Sequence, residues 1–169
     1  MGKQFPSFTG LLWHRSQYYS FYIPTQWIKS DWPDDRAGVL FSPPDADPQT
    51  LLAVELRDLG IQPTSDDLDD LMAGFLAGVQ DLPDCQLETE TNWVRGKLMC
   101  LEAKYTFRDQ DTIRKRWIRQ FYHQTRQIAM TAQGATIEAY DYWSPMFFEA
   151  MMTTQIHNTL PKPDIEAVR

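Results

Sequence analysis

Apolar and polar positions alternate along this chain with two different periods, and the changes of period mark the expected elements. Tyr18-Tyr19-Ser20-Phe21-Tyr22-Ile23 is dense in strand formers and stops at Pro24, whose missing N–H suits a strand end or edge. Thr25-Gln26-Trp27-Ile28 then turns away, and an acidic loop from Asp31 to Arg36 leads into a short strand over 37–42. Pro43 to Pro48 reads as an exposed turn. Thr50 to Arg57 is a third strand, nearly continuously apolar in its first half, which predicts cover on both faces there.

Past Pro63 the spacing becomes helical, with Thr64 or Ser65 as the cap and Asp66 and Asp67 in the first turn, where carboxylates face unsatisfied amides. Leu68, Leu71, Met72, Phe75, Leu76 and Val79 recur at threes and fours, so a helix over about 65–80 carries one wide apolar stripe. After Pro83 the alternation returns: a strand over 86–91, a turn at Arg95-Gly96, a long strand from Lys97 to Arg108, a reversal at Asp109-Gln110-Asp111 and another strand from Thr112 to Gln124. A hairpin centred on Gln110 groups Met99, Leu101, Ala103, Tyr105 and Phe107 with Phe121, Arg119, Trp117, Lys115 and Ile113 on a mainly core face. It also sets Glu102 between Lys104 and Arg116 as their neutralising partner. Residues 125–131 form a last strand, and Gly134-Ala135-Thr136 opens a helix-like region holding Tyr140, Tyr142 and Trp143. Ser144-Pro145 then reads as a cap with proline at the first position of a helix running to about Asn158. The order predicts one α+β domain over 18–158, an antiparallel sheet of six or seven strands covered by helices, preceded by a lead-in (1–17) and followed by a polar tail (159–169).

Composition narrows the class. With 169 residues and 43% hydrophobic content the chain can bury an ordinary core without disulfides or a structural metal. Twenty-three acidic against 16 basic side chains give a net charge of -7, which opposes non-specific binding to polyanions and argues against nucleic acid as a partner. No apolar run is long enough for a membrane span, and the first residues lack a basic region followed by a clean apolar stretch, so the expected compartment is the cytoplasm. Cys85 and Cys100 match neither a disulfide framework nor a paired metal motif and are expected to be buried free thiols.

Three features resemble the PsbP-like family, which includes the Ran-binding Mog proteins and uncharacterised bacterial members. They are the opening pattern of Tyr18, Ser20, Phe21, Ile23, Pro24 and Trp27, the helix from Leu68 to Val79 after a short hairpin, and the strand pair from Arg116 to Ala132 that passes through Gly134 into an aromatic helix. The likeness spans about residues 15–158. It implies an α/β/α sandwich and a non-enzymatic binding or accessory role, since relatives serve as protein-binding modules with no shared catalytic residue to carry over. Unlike secreted relatives, this sequence shows no signal peptide or lipidation cysteine near its start.

Candidate chemistry is sparse. His14, His123 and His157 show no metal-ligand spacing, the Asp clusters fit no calcium loop, and neither a nucleophile motif nor a phosphate loop is present, so no metal, cofactor or catalytic residue is assigned. Arg114, Lys115, Arg116, Arg119 and Arg126 concentrate positive charge, although alternation divides the first three between faces, and Arg114, Arg116, Arg119 and Arg126 are the anion-site candidates. Six Trp and seven Tyr exceed what the apolar stripes use. Trp13, Trp32, Tyr142 and Trp143 are therefore the candidates for contact with a protein partner or a second copy. Behind this interaction-module reading stand a small-molecule or anion-binding domain and an enzyme whose site is assembled from distant residues.

Overall fold

The computed structural model describes residues 5–7 and 9–158; the expected tail at 159–169 lies outside them. Ten strands and two helices follow in the order β1 (Leu11–Arg15), β2 (Tyr19–Pro24), β3 (Ile28–Ser30), β4 (Ala37–Ser42), β5 (Leu51–Asp58), α1 (Leu68–Gln80), β6 (Gln86–Arg95), β7 (Leu98–Asp109), β8 (Thr112–His123), β9 (Arg126–Gly134), α2 (Ile137–Thr153) and β10 (Gln155–Ile156). Seven strands make one antiparallel sheet in the order β3-β4-β5-β9-β8-β7-β6, and β1, β2 and β10 make a small second sheet. The fold is α+β, an α/β/α sandwich, as the alternation and the helical stripe require. The segment read as a lead-in contributes β1, which pairs with β2 from Leu11 opposite Pro24 to Arg15 opposite Ser20.

α2 and the small sheet cover one face. Phe21, Ile23, Phe41, Leu52, Val54, Trp117, Phe121, Met130, Phe147 and Met151 form the main core between them. α1 covers the other face, over Met99, Leu101 and Tyr122 in one cluster and Ala103, Tyr105, Phe107 and Val79 in another. Thr64 enters α1 through a short 3-10 turn, its N–H donating to Asp67 Oδ2 at 2.8 Å. Gly134 permits the tight entry into α2, because a Cβ there would sit 2.3 Å from the backbone nitrogen of Tyr140.

Two expectations change. The turn between β7 and β8 is the two-residue Gln110-Asp111, with Gln110 in the left-handed region (φ 54°), so Asp109 pairs with Thr112 and Met99 with Tyr122. The register is one residue away from the one centred on Gln110. Met99, Leu101, Ala103, Tyr105 and Phe107 consequently share their face with Tyr122, Gln120, Ile118, Arg116 and Arg114, while Trp117, Arg119 and Phe121 lie opposite Lys104, Glu102 and Cys100 on the α2 face. Glu102 therefore meets Arg119 rather than Arg116. The architecture survives the shift because both faces are covered. The second change concerns α2, which runs unbroken through Pro145 from its cap at Thr136, whose Oγ1 accepts from Ala139 N at 3.0 Å. Proline leaves the Asp141 carbonyl without its helical donor, and the Ser144 hydroxyl takes that place at 2.9 Å. The helix stops at Thr153, before the strand residues Gln155 and Ile156, rather than near Asn158.

Candidate functional site

Each helix covers only part of the seven-stranded sheet: α2 packs on β8 and β9, and on β2 of the small sheet, whereas α1 packs mainly on β6 and β7. The uncovered strip beside α1 is a groove of about 550 Å³. α1 supplies one wall, but of its stripe only Val79 is fully buried, while Leu71 and Phe75 stay half-buried along the opening. Gly74 and Gly78, one turn apart, widen it, since a Cβ at either would meet nothing within 4 Å. Tyr105, Ile118, Tyr122 and Ala129 make the floor.

The polar groups in the groove are tied down by neighbours. Tyr122 Oη accepts from Gln120 Nε2 at 2.5 Å and from Gln127 Nε2 at 2.9 Å, and Arg57 pairs with Glu55 at 3.0 Å on the rim. Arg116 donates to Gln133 Oε1 at 2.5 Å, and its guanidinium lies 4.3 Å from the Phe107 ring centroid. Burial pushes the phenol of Tyr105 up from its ordinary pKa, with Arg116 offsetting only part of the effect, so it stays a neutral hydrogen-bond donor at pH 7. Such a surface offers apolar contact, amide and phenol hydrogen bonds, and two guanidinium groups, Arg116 inside and the Glu55-paired Arg57 on the rim, an arrangement suited to binding.

The four cationic candidates do not converge. Arg114 donates to Asp109 and to the Ala135 carbonyl, both at 2.8 Å, and Arg116 lines the groove. Arg119 is buried on the opposite face, where it donates to the Met151 carbonyl. Arg126 donates to Gln124 at 3.1 Å and lies over Tyr18. The aromatic candidates are equally dispersed. Trp13 packs against Tyr22 on the small sheet, and Trp143 sits at 5.5 Å from Trp27 against the main core, with Tyr142 more exposed beside it. Trp32 folds over β4 and β5, donating to the Val54 carbonyl at 2.9 Å over Gly38, where φ of 136° and a Cβ position 1.9 Å from that oxygen leave no room for a side chain. The sequence reading missed Gly74, Gly78 and Tyr122; the glycines at positions i and i+4 beside a helical stripe were the available signal. Among the described residues no group of three or more His, Cys, Asp or Glu converges as metal ligands, and no helix is long and apolar enough to cross a membrane.

No family model and no curated protein matches the sequence. Solved structures do match in fold. Cyanobacterial PsbP from Synechocystis sp. PCC 6803 superposes with a TM-score of 0.62 at 14% identity, over 93% of this chain and 98% of its own. LpqN, involved in cell envelope biogenesis of Mycobacterium tuberculosis, gives 0.61 at 12% identity over 88% and 90%. PA94, a Pseudomonas aeruginosa protein of unknown function, gives 0.56 at 15% over 92% and 99%. The chain thus has the PsbP-like fold, in agreement with the resemblance read from its residues. The cytoplasmic expectation is withdrawn: the fold match to cyanobacterial PsbP conflicts with it, and charge and N-terminal composition were insufficient grounds for a compartment.

Proposed function

We propose that the chain is a non-enzymatic interaction or accessory module, and that the groove between α1 and the sheet receives an apolar segment of a protein partner. The observation that carries this reading is the incomplete burial of α1, which leaves Leu71 and Phe75 half-exposed above an apolar floor instead of sealed against it. Closing that gap with a partner's side chains would remove apolar surface from water at about 25 cal/mol per Å². Fold likeness to PsbP supports an accessory role and does not name the partner.

The test is a plug. Gly74→Trp places an indole in open space on the groove wall, so melting should be little changed while proteins captured from native lysate by the wild-type chain are lost. If the plugged variant captures the same proteins with the same yield, the groove is not the contact surface.

A further inference from the structure

On the opposite face, β6 and β7 extend beyond α2. With the end of that helix and β10 they form two adjoining cavities of about 510 and 520 Å³ that share Arg95 and Leu98. None of the residues lining either cavity is Asp or Glu, although acids outnumber Lys and Arg 23 to 16 in the whole chain. Arg95, Lys97 and Arg119 supply positive charge. The first two flank the β6–β7 turn, are exposed, and form no ion pair among the described residues.

Arg119 is the inner cation, 9% exposed, with its Nε lacking a hydrogen bond and lying 3.6 Å from Glu102 Oε2. Glu102 also accepts from Trp117 Nε1 at 2.6 Å, so one carboxylate behind the wall is shared between an indole and a guanidinium. With three cations and no carboxylate in the lining, and only Arg119 backed by Glu102, the concave site carries a positive surplus, and low-dielectric walls focus its field. Apolar surface comes from Trp93, beneath the Arg95 guanidinium at 5.3 Å, with Phe121, Ile156 and the half-exposed Met152, set among the uncharged polar side chains of Gln62, Gln124, Thr154, Gln155 and Asn158. His157, held by Ser20 at 2.8 Å, adds hydrogen-bonding capacity. Burial and Arg15 keep its pKa below the ordinary value, so it adds no full charge at pH 7.

We infer that this region binds a small organic oxyanion, its phosphate or carboxylate head at Arg95 and Arg119 and its apolar body against Trp93 and Met152. Guanidinium groups match both heads bidentately, and the acidic remainder of the surface disfavours a polyanion in their place. The site lies across the sheet from the groove and stands independently of the partner reading.

Calorimetric titration of the full chain with 1-naphthyl phosphate, decanoate, 1-naphthol and inorganic phosphate tests it, with amide and indole NMR shifts locating the ligand. Saturable binding of 1-naphthyl phosphate or decanoate is expected, at least about tenfold tighter than naphthol or inorganic phosphate, with shifts at Trp93 and Arg95. Arg95→Glu, at an exposed turn, should keep the fold by circular dichroism and weaken binding by about tenfold or more, while Gly74→Trp should leave it unchanged. Failure of both anions to saturate at millimolar concentration, naphthol binding as tightly as its phosphate, or an Arg95→Glu chain of unaltered affinity would each overturn the assignment.

Discussion

Glu102 and Arg119 form the most enclosed ion pair in the described chain, with side chains 17% and 11% exposed and 3.6 Å between Oε2 and Nε. At that separation two unit charges attract by about 5 kcal/mol for an effective dielectric near 20, and desolvation of both opposes much of that gain. Removing one partner strands the other. Glu102→Gln keeps an acceptor for the Trp117 indole but strips the charge, and should destabilise the fold by about 3 kcal/mol. Arg119→Met should cost about 3–5 kcal/mol, because it also leaves the Met151 carbonyl at the end of α2 without its donor. The double variant strands no charge, so its cost should fall short of the sum by about 2 kcal/mol or more; the lost carbonyl contact is common to Arg119→Met and the double variant and cancels. Urea unfolding at pH 7, followed by far-ultraviolet circular dichroism and compared at constant slope, measures the cycle. Single effects that add to within about 0.5 kcal/mol would refute the coupling and show that cleft water already solvates Arg119.

Gly74→Ala and Gly78→Ala should each raise stability by about 0.5–1 kcal/mol, read as a higher urea midpoint, since both lie inside α1 and the added methyl meets open space. Burial first and Lys29 second hold the His14 imidazole below its ordinary 6.5. The unfolded chain therefore takes up the proton first as pH falls, and stability should drop as pH passes down through 6.5 toward the folded value. His14→Phe, among Phe21, Tyr19 and Phe41, should flatten that part of the slope in urea midpoints measured between about pH 7.5 and 5.5, with His157 leaving a remainder of the same sign. Burial pushes the Cys100 thiol up to about 12, so mass spectrometry should find it alkylated by iodoacetamide only after unfolding, whereas half-buried Cys85 reacts slowly in the native chain.

Element types were legible because they follow from local periodicity: the α1 stripe and the alternation in β7 and β8 each reflect one side chain's position relative to its neighbours. Register was not. A slip by one residue leaves Trp117 and Phe121 buried, because the face they move to is covered by α2, and the displaced Arg114 and Arg116 find Asp109, Ala135 and Gln133 on the α1 side. With apolar cover on both sides, burial alone does not choose between neighbouring registers, and the two-residue turn decides. α2 misled for a similar reason: Ser144-Pro145 has the composition of a helix start, but the serine serves as a replacement donor inside a helix begun at Thr136. Neither concave surface could be read from the chain, because each arises where a helix stops short of a sheet edge, a distance set by tertiary packing.

β8 forms part of both concavities. Arg116, Ile118, Gln120 and Tyr122 belong to the groove, Arg119 and Phe121 to the cleft, and the strand has no uncommitted side. Parity therefore governs how this stretch can change in length. One inserted residue near Thr112 would send every side chain after it through the sheet, delivering the groove's tyrosine to the cleft and the cleft's guanidinium to the groove, whereas two inserted residues would restore the sidedness of each.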